Sequence, residues 1–278
     1  MTTVIKVGGA RAVDPAGALS DVASLYEDGE DLVLVHGGST AVDDTLERLG
    51  MEPEYVETPS GVVGRFTDEE TMEVFEMVFG HLNTQLVAGL QSQGVDAVGL
   101  NGVDGKLLHG PRKSAVRVVE DGTKKIRRGD HSGTIKEVNA DLLESLLDGS
   151  YVPVASPPMA GADDGDVTPV NTDADRTAAA IAAALDARLV LLTDVEGVYE
   201  DPDDPGTLIE SVETPEEWQD LEDAAEGFMG RKVMAAEEAL DGGATEVVVA
   251  DANADEPVLA ALDGSGTHVY ADALEGTQ

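Results

Sequence analysis

The stretch Val4-Ile5-Lys6-Val7-Gly8-Gly9 opens the folded pattern of this chain and predicts where its chemistry is centred. Val4, Ile5 and Val7 predict a short buried β-strand, because β-branched residues suit a pleated, enclosed surface. Lys6 does not suit that surface. A lysine at the end of a buried strand, before a Gly-Gly turn whose amides can approach a ligand closely, indicates a phosphate site. The alternative is a lysine that simply extends its ammonium group to solvent from the strand end.

Length and composition bound the class of protein. The chain has 278 residues, 42% of them hydrophobic, enough for one large domain or two lobes with a substantial core. It contains no cysteine, which excludes disulfides and thiolate sites. No apolar run reaches membrane-spanning length and the N-terminus has no signal-peptide pattern, so we expect a cytoplasmic protein that does not bind membranes.

The charge balance is strongly acidic. Asp and Glu number 56 against 17 Lys and Arg, a formal net charge of −39. An excess spread along the whole chain indicates a solvated acidic surface suited to a cytoplasm of high salt, as in a halophile. It also disfavours general nucleic-acid binding, so we expect no nucleic-acid partner.

A second strand followed by glycines repeats the opening pattern. Asp31 to His36 predict a buried strand, and Gly37-Gly38-Ser39 opens a helix. A helix N-terminus preceded by glycines gathers unpaired N–H donors at the positive end of the helix dipole, and can therefore hold a carboxylate or phosphate. The alternative is a tight turn without a ligand.

The glycine-rich loop from Pro59 to Asp68 leads into a further helix, which Thr67 or Asp68 is expected to cap. Arg65 in this loop is the only Lys or Arg between residues 48 and 106. An isolated guanidinium beside a loop suits bidentate capture of a carboxylate. The alternative is a surface ion pair.

The composition inverts between residues 106 and 136. This segment holds nine of the 17 basic residues of the chain against three acids. The valines at 116, 118 and 119 before Asp121-Gly122, with Ile126 after it, predict a β-hairpin, which we call the basic hairpin. Its basic residues are Lys106, Arg112, Lys113, Arg117, Lys124, Lys125, Arg127, Arg128 and Lys136.

In an otherwise acidic chain, the basic hairpin indicates an acidic partner. No Phe, Trp or Tyr occurs between Phe79 and Tyr151, so the hairpin has no aromatic stacking platform for nucleic-acid bases. An acidic protein or an anionic ligand is therefore favoured, and the alternative is pairing with carboxylates of the chain itself. We predict short-range contacts to a partner from Lys124, Lys125, Arg127 and Arg128.

The second half of the chain continues the alternation of strands and helices. Residues 151–156 predict a strand that Pro157-Pro158 ends, which divides the chain into an N-terminal lobe, 1–156, and a C-terminal lobe, 157–278. Asn171, Asp173 and Asp175 are candidate caps of an alanine-rich helix.

The last third of the chain adds one further cation of interest. A strand at 189–193 is followed by a helix predicted over 233–240, with Lys232 in its first turn. A cation at that position opposes the helix dipole, which indicates a bound anion. The pattern as a whole predicts an α/β protein, a three-layer α/β/α sandwich whose mostly parallel central sheet binds ligands at the carboxyl ends of its strands.

Six collinear motifs resemble the markers of the amino acid kinase family across nearly the whole chain. They are IKVGG (5–9), VHGGS (35–39), GRFTD (64–68), VNTDAD (170–175), LLTDVEGVY (191–199) and FMGRKVMAA (228–236). The chain is most similar to the N-acetylglutamate kinase branch. Within that branch it resembles archaeal and thermophile enzymes that phosphorylate glutamate or 2-aminoadipate attached to the acidic amino-group carrier protein LysW.

The resemblance implies a fold, an activity and residue roles. It implies ATP with Mg²⁺, a carboxylate acceptor in arginine or lysine biosynthesis, an acyl phosphate product, no protein metal ligands and a homodimer, for which the helix from Thr71 to Leu86 offers an apolar face. Lys6 and Lys232 would contact the transferring phosphoryl group, and Asp175 would hold both lysines in place. The binding roles would fall to Gly37, Gly38, Arg65 and Asn171 for the substrate, and to Gly8, Gly9, Thr193, Asp194 and Tyr199 for the nucleotide.

The segment LNGVDGKLLHGPRKSAVRV (100–118) departs from acetylglutamate kinases, which have a short glycine-rich turn there. Its added basic residues weaken the prediction of a free acetylated substrate and favour a carrier. Two alternatives remain open: an N-acetylglutamate kinase with an unusual loop, and a nucleotide-binding regulator without catalytic activity.

Overall fold

The computed structural model describes residues 1–8, 14–59, 61, 63–120, 122–225 and 227–274, which form 14 strands and eight α-helices. The strands are β1 (Thr3–Val7), β2 (Leu32–His36), β3 (Tyr55–Glu57), β4 (Val63–Arg65), β5 (Ala97–Gly102), β6 (Leu108–Glu120), β7 (Thr123–Gly133), β8 (Glu137–Val138), β9 (Val152–Asp163), β10 (Asp166–Val170), β11 (Arg188–Thr193), β12 (Ser211–Val212), β13 (Glu246–Asp251) and β14 (Thr267–Tyr270). The helices are α1 (Pro15–Glu27), α2 (Ser39–Arg48), α3 (Glu69–Gln91), α4 (Ala140–Asp148), α5 (Ala174–Ala184), α6 (Pro215–Ala224), α7 (Gly227–Asp241) and α8 (Pro257–Leu262).

One large, mostly parallel sheet organises the described chain. Its main path runs β12-β14-β13-β11-β1-β2-β9-β6-β7, with β5, β8 and β10 added at its side. The pairs of β1 with β2 and β11, of β11 with β13, and of β9 with β2 and β5 are all parallel. Helices cover both faces of this sheet, so the predicted three-layer α/β/α sandwich is confirmed.

The side-chain alternation of β1 decides where Lys6 points. Val4 packs in the core cluster that contains Ala178 of α5, whereas Ile5 packs in the opposite cluster with Val22 of α1. Successive side chains of a strand point to opposite faces, so Lys6 lies on the face of Val4, toward α5. A buried strand at the centre of the sheet thus carries one cation to a defined helix.

Two helix starts follow the predicted chemistry. Asp68 caps α3, because its side chain accepts a hydrogen bond from the amide of Thr71 at 2.9 Å. Asp173 caps α5 and accepts from the amides of Asp175 and Arg176. Of the three predicted cap candidates, Asp173 therefore fills the role and leaves the Asp175 carboxylate available to other partners.

The predicted start of α7 is wrong. The helix begins at Gly227, six residues earlier than expected, so Lys232 lies in its second turn. Gly227 starts the helix with a φ of 59°, which suits glycine, and Gly230 inside the helix costs only about 1 kcal/mol, so neither prevents the earlier start. The dipole argument for an anion beside Lys232 does not apply in the second turn.

The predicted end of the strand at Ser156 is also wrong, because β9 continues to Asp163. In the ladder between β5 and β9, Asn101 pairs with Ser156 and Gly102 pairs with Met159, which leaves Pro157 and Pro158 in a bulge. A proline without an N–H is tolerated where no ladder hydrogen bond is needed. The lobe division at 156/157 stays a prediction, and its boundary falls inside β9.

The basic hairpin forms as predicted, from β6 and β7, with Val116 opposite Arg127 and Arg117 opposite Ile126. Its base joins the main sheet, where β6 pairs with the second half of β9. Gly122 at the tip has a φ of 71°, a left-handed conformation that suits glycine, and Asp121 lies outside the described residues.

Candidate active site

Two lysines share one buried carboxylate at the centre of the molecule. Nζ of Lys6 lies 2.6 Å from Oδ1 of Asp175, and Nζ of Lys232 lies 3.1 Å from Oδ2 of the same residue. The three side chains are between 7% and 12% exposed. The structure therefore brings together the three residues that the resemblance assigned to catalysis.

The electrostatics of this trio favour an anionic ligand. Burial alone raises the pKa of Asp175, but the ammonium groups of Lys6 and Lys232 outweigh it and lower that pKa below its ordinary value. Burial and then the charge of Lys6 lower the pKa of Lys232, while Asp175 opposes both effects. Two cations and one anion leave one uncompensated positive charge, which a phosphoryl group can neutralise.

The glycine turn after β2 lies beside this trio. β1 and β2 are parallel neighbours, with Val7 opposite His36, and the amide of Gly37 donates to the carbonyl of Val7 at 3.2 Å. Gly38 is the N-cap of α2 and makes no side-chain cap hydrogen bond. The first-turn amides of α2 therefore lie near Lys6 without a side-chain acceptor from their cap residue.

A side chain at position 38 would not fit. A Cβ atom added there would approach Leu82 Cδ1 to 2.7 Å and Phe79 Cε2 to 3.1 Å. Glycine is thus required by α3, which packs against α2 through Phe75 and Phe79. Gly8 is described at the end of β1, whereas Gly9 lies outside the described residues.

Arg65 is held at the first turn of α2. Its Nη1 pairs with Asp43, and its Nη2 donates to the carbonyl and the hydroxyl of Ser39 at 2.9 and 2.8 Å. The guanidinium also lies over the ring of Tyr55, 5.3 Å from its centroid. Arg65 is therefore a buried, oriented cation beside the glycine turn, although the sequence did not reveal Asp43 as its partner.

Asn171 is linked to the loop that carries Arg65. Its side-chain amide donates to the hydroxyl of Thr67 at 2.9 Å, and its backbone N–H donates to the carbonyl of His131. His131 in turn donates its amide to the carbonyl of Thr67 at 2.7 Å. Asn171, Thr67 and the base of the basic hairpin thus form one hydrogen-bonded unit, in which Thr67 lies two residues after Arg65.

The residues expected at the nucleotide lie at the carboxyl end of β11, the neighbour of β1. Thr193 is buried and donates its hydroxyl to Asp194 at 3.1 Å. Tyr199 donates its hydroxyl to Glu196 at 2.9 Å. Their role in nucleotide binding stays a prediction.

The predicted carrier-binding residues differ in their surroundings. Lys124, Lys125 and Arg128 are exposed. Arg127 instead pairs through both terminal nitrogens with Glu54 and lies over the ring of Phe66, 4.0 Å from its centroid. The alternative of internal pairing therefore holds for Arg127 in this structure.

No cluster of three or more His, Asp or Glu side chains suited to a metal ion occurs among the described residues. Mg²⁺ prefers oxygen ligands and commonly binds through the phosphates of a nucleotide, with few protein ligands. A site with two lysines beside the phosphates fits that mode. Within the described part of the chain, no helix combines the length and apolar character needed to cross a membrane.

The sheet, the paired lysines and the uncapped glycine turn define a phosphoryl-transfer enzyme of the α/β class. The model of the amino acid kinase family matches residues 1–251, and the chain belongs to this family. It is accordingly a phosphotransferase that uses ATP and has a carboxyl group as acceptor. The sequence prediction of the family and of an enzyme is confirmed.

Curated relatives cover nearly the whole chain. A LysW-aminoadipate kinase of Thermus thermophilus is 43% identical over 273 residues, 96% of this chain and 99% of its own. A LysW-aminoadipate kinase of Deinococcus radiodurans is 45% identical and covers 96% and 90%. An acetylglutamate kinase of Methanopyrus kandleri is 45% identical and covers 96% and 99%.

Solved structures share the fold. N-acetylglutamate synthase from Neisseria gonorrhoeae, complexed with coenzyme A and N-acetyl-glutamate, matches with a TM-score of 0.77 and 26% identity. The match covers 97% of this chain and 59% of that one, so the chain spans somewhat more than half of the synthase. Carbamate kinase from Giardia lamblia, bound to AMP-PNP, matches with a TM-score of 0.68 and 17% identity, covering 97% and 98%.

Proposed function

We propose that this kinase phosphorylates the side-chain carboxylate of glutamate or 2-aminoadipate attached to an acidic carrier protein of the LysW type. The product is an acyl phosphate, made for arginine or lysine biosynthesis, and a reductase consumes it because acyl phosphates hydrolyse readily. Relatives named LysW-aminoadipate kinase, 43% and 45% identical over 96% of the chain, support this proposal. The observation that carries the carrier requirement is the exposed basic face of the hairpin, described below.

The trio of Lys6, Lys232 and Asp175 supplies what the reaction needs. A side-chain carboxylate with a pKa near 4.3 is already ionised at neutral pH, so no general base is required. Phosphoryl transfer spreads negative charge over the equatorial oxygens, and catalysis consists mainly of positioning and charge compensation. Lys6 and Lys232 provide the compensation, and Asp175 fixes their separation.

The remaining residues bind and orient the reactants. Gly37 and Gly38 present amide donors to the acceptor carboxylate, and Arg65 and Asn171 receive the other end of the amino acid. We assign nucleotide binding to Gly8, Gly9, Thr193, Asp194 and Tyr199. Mg²⁺, carried by the ATP phosphates, would neutralise charge that the two lysines do not reach.

One face of the basic hairpin is built to meet an acidic protein. Residues directly opposite in an antiparallel pair share a face, so Arg117 and Ile126 lie together, as do Val119 with Lys124 and Ala115 with Arg128. Ile126 is 67% exposed at the centre of this face. We call it the outer face, and it consists of Arg117, Lys124, Ile126 and Arg128 around the smaller apolar residues.

The opposite face of the hairpin attaches it to the enzyme. Val118 is fully buried there, and Arg127 is paired with Glu54. We therefore assign carrier binding to the outer face and to the exposed Lys125, and an anchoring role to Arg127. An exposed apolar residue ringed by cations suits a carboxylate-rich protein surface, since close contact desolvates Ile126 while the cations pair.

If the protein functions at high salt, the outer face has to recognise the carrier by direct contact. At roughly 1 M salt the Debye length is about 3 Å, so the hairpin does not steer a carrier from a distance. A cytoplasmic, halophilic protein is part of this proposal. A homodimer is also part of this proposal. In α3, Met72, Phe75 and Phe79 pack toward α2, and Met77 is exposed. The apolar surface of α3 that is free for a dimer is therefore smaller than the sequence indicates.

Two other functions fit part of these observations. The acetylglutamate kinase of Methanopyrus kandleri is 45% identical, which supports phosphorylation of free N-acetylglutamate as the second candidate. A nucleotide-binding regulator without catalytic activity requires another reason for Lys6, Lys232 and Asp175 to lie together.

Hydroxylamine trapping of the acyl phosphate tests the proposal. The enzyme is incubated with ATP and Mg²⁺ at high salt, and with LysW-linked glutamate, LysW-linked aminoadipate or free N-acetylglutamate. We expect hydroxamate only with a carrier-linked substrate. Turnover of free N-acetylglutamate alone favours the second candidate, and turnover of none of the three substrates favours the regulator.

A further inference from the structure

His36 is buried beneath the glycine turn that follows β2. The residue is 2% exposed, and its Nδ1 lies 3.0 Å from the carbonyl oxygen of Gly37. Its ring stacks on Phe79 of α3 with a centroid separation of 5.7 Å. The imidazole is therefore shielded from solvent and contacts the backbone of the turn.

The side chain of Asn83 determines which ring nitrogen of His36 carries the proton. Nδ2 of Asn83 lies 2.8 Å from the carbonyl oxygen of Val154 and 3.3 Å from Nε2 of His36. An amide NH₂ group only donates, and the carbonyl of Val154 only accepts, so this orientation of the amide is fixed. Nε2 of His36 is then an acceptor, and the proton lies on Nδ1, which donates to Gly37.

The ring is neutral for a physical reason. Burial lowers the pKa of His36 to about 4, and the nearby charge of Lys6 adds to this effect despite the hydrogen bond to Gly37. A neutral ring beside Lys6 does not compete with that lysine for an anion. It also keeps the acceptor nitrogen that Asn83 requires.

The turn needs such a support because its own residues have no side chains. Gly37 and Gly38 have wide conformational freedom, and Gly38 caps α2 without a side-chain hydrogen bond. The amide of Gly37 is fixed by the carbonyl of Val7. The hydrogen bond from His36 fixes the other end of the same residue, its carbonyl.

We propose that His36 and Asn83 are positioning residues for phosphoryl transfer. Asn83 holds the neutral imidazole as the Nδ1–H tautomer, and the imidazole holds the Gly37 carbonyl so that the amides of the turn point at the acceptor carboxylate. The proposal rests on the proposed function, because it takes Gly37 and Gly38 as the acceptor site.

Three variants separate positioning from bulk stability. His36→Leu removes the donor, His36→Asn keeps an N–H donor near the position of Nδ1, and Asn83→Leu removes the tautomer lock. We expect His36→Leu and Asn83→Leu to lower kcat about 10- to 100-fold, the scale of a displacement of about 1 Å. The KM for ATP is expected to stay within about threefold, and His36→Asn is expected to recover most of kcat. Ser145→Ala, an exposed residue of α4, is the matched control and leaves kcat unchanged.

Equal losses in His36→Leu and His36→Asn would overturn the proposal, as would a loss of ATP affinity parallel to the loss of kcat. If His36→Leu does not fold, Asn83→Leu carries the kinetic test. The ¹⁵N spectrum of the imidazole, assigned with His36→Asn, tests the tautomer without any acceptor. We expect Nδ1–H in the wild type and a mixture of tautomers in Asn83→Leu, and Nε2–H in the wild type would contradict the proposal. A wild type that turns over no acceptor yet shows Nδ1–H would refute the proposed function and, with it, the positioning role, but not the hydrogen-bond assignment.

Discussion

The ammonium nitrogen of Lys6 lies 2.6 Å from a carboxylate oxygen of Asp175, although the two residues are separated by most of the chain. The contact joins the central strand of the sheet to the first turn of α5. Lys232 approaches the second oxygen of the same carboxylate from α7. One buried anion therefore sets the distance between two cations that belong to different elements.

Replacing either lysine is expected to abolish most turnover. Lys6→Met and Lys232→Met each remove one charge from the transition state, and by analogy with oxyanion-hole donors each lowers kcat about 10²- to 10³-fold. Single-turnover kinetics with saturating ATP measure this. Arg48→Met, which removes an exposed cation outside the trio and the basic hairpin, is the control. A Lys232→Met variant that loses turnover but keeps its biological activity would instead support the regulator.

Replacing Asp175 by Asn is expected to change the pH profile as well as the rate. Asp175 raises the pKa of Lys232, which burial and Lys6 lower. Without the carboxylate the pKa of Lys232 falls further, so the ammonium form is lost at a lower pH. The alkaline limb of the kcat profile is therefore expected to move toward neutral pH. An unmoved or upward-shifted limb would show that Lys232 does not limit activity there.

Charge reversal on the outer face is expected to weaken carrier binding specifically. Lys124→Glu and Arg128→Glu place acids opposite an acidic partner, and we expect the KM for the carrier-linked substrate to rise about tenfold or more while the KM for ATP is unchanged. Titration of the carrier by calorimetry provides the direct measurement. Arg127→Gln is the matched comparison on the inner face. It is expected to lower the melting temperature, because it breaks the pair with Glu54, and to change carrier affinity less.

The neutral state of His36 makes the folded protein sensitive to mild acid. In the unfolded chain this imidazole takes up a proton below its ordinary pKa of 6.5, whereas in the folded protein it does so only near pH 4. Between these values the unfolded state binds more protons, so the free energy of unfolding decreases as the pH falls from 7 to 4, by up to about 3 kcal/mol from this group. Urea titrations across this range, compared with His36→Asn, isolate the contribution. Parallel pH curves for the two proteins would contradict the assignment.

Salt is expected to stabilise the protein. A net charge of −39 produces self-repulsion in the compact state. Raising KCl from 0.1 to 1 M shortens the Debye length from about 10 to about 3 Å and screens that repulsion, so the melting temperature is expected to rise. Chloride is used because sulfate also strengthens apolar burial. A melting temperature that falls with KCl would argue against adaptation to high salt.

Much of the fold follows from local sequence chemistry. The buried strands around Val4 and Leu34 are rich in β-branched residues and end at glycines, and Asp68 and Asp173 cap helices as short side-chain acceptors do. The two errors have local causes as well. Gly227 and Gly230 resemble a loop in the sequence, but Gly227 starts α7 and Gly230 lies inside it. Pro157-Pro158 resembles a break but lies in a bulge of β9.

The site was less accessible to local reasoning. The sequence marks Lys6 as a lysine in an apolar strand. Only the family resemblance predicts its pairing with Asp175, because no local pattern links residues that are distant in the chain. The same limit concealed the contact of Arg127 with Glu54 and that of Asn83 with His36. His36 belongs to the motif VHGGS, and the position of a histidine at the end of a buried strand is the one sequence signal of a structural partner.

The pairing of β1 determines when this strand can acquire its two neighbours during synthesis. Residue 3 pairs with residue 32 on one side and with residue 188 on the other, so the strand that carries Lys6 has one neighbour early and the second only much later. During translation the second edge of β1 has no native partner until β11 has been made. An unpaired strand edge can pair with a wrong partner, and the catalytic centre forms only after β1, α5 and α7 have all been made.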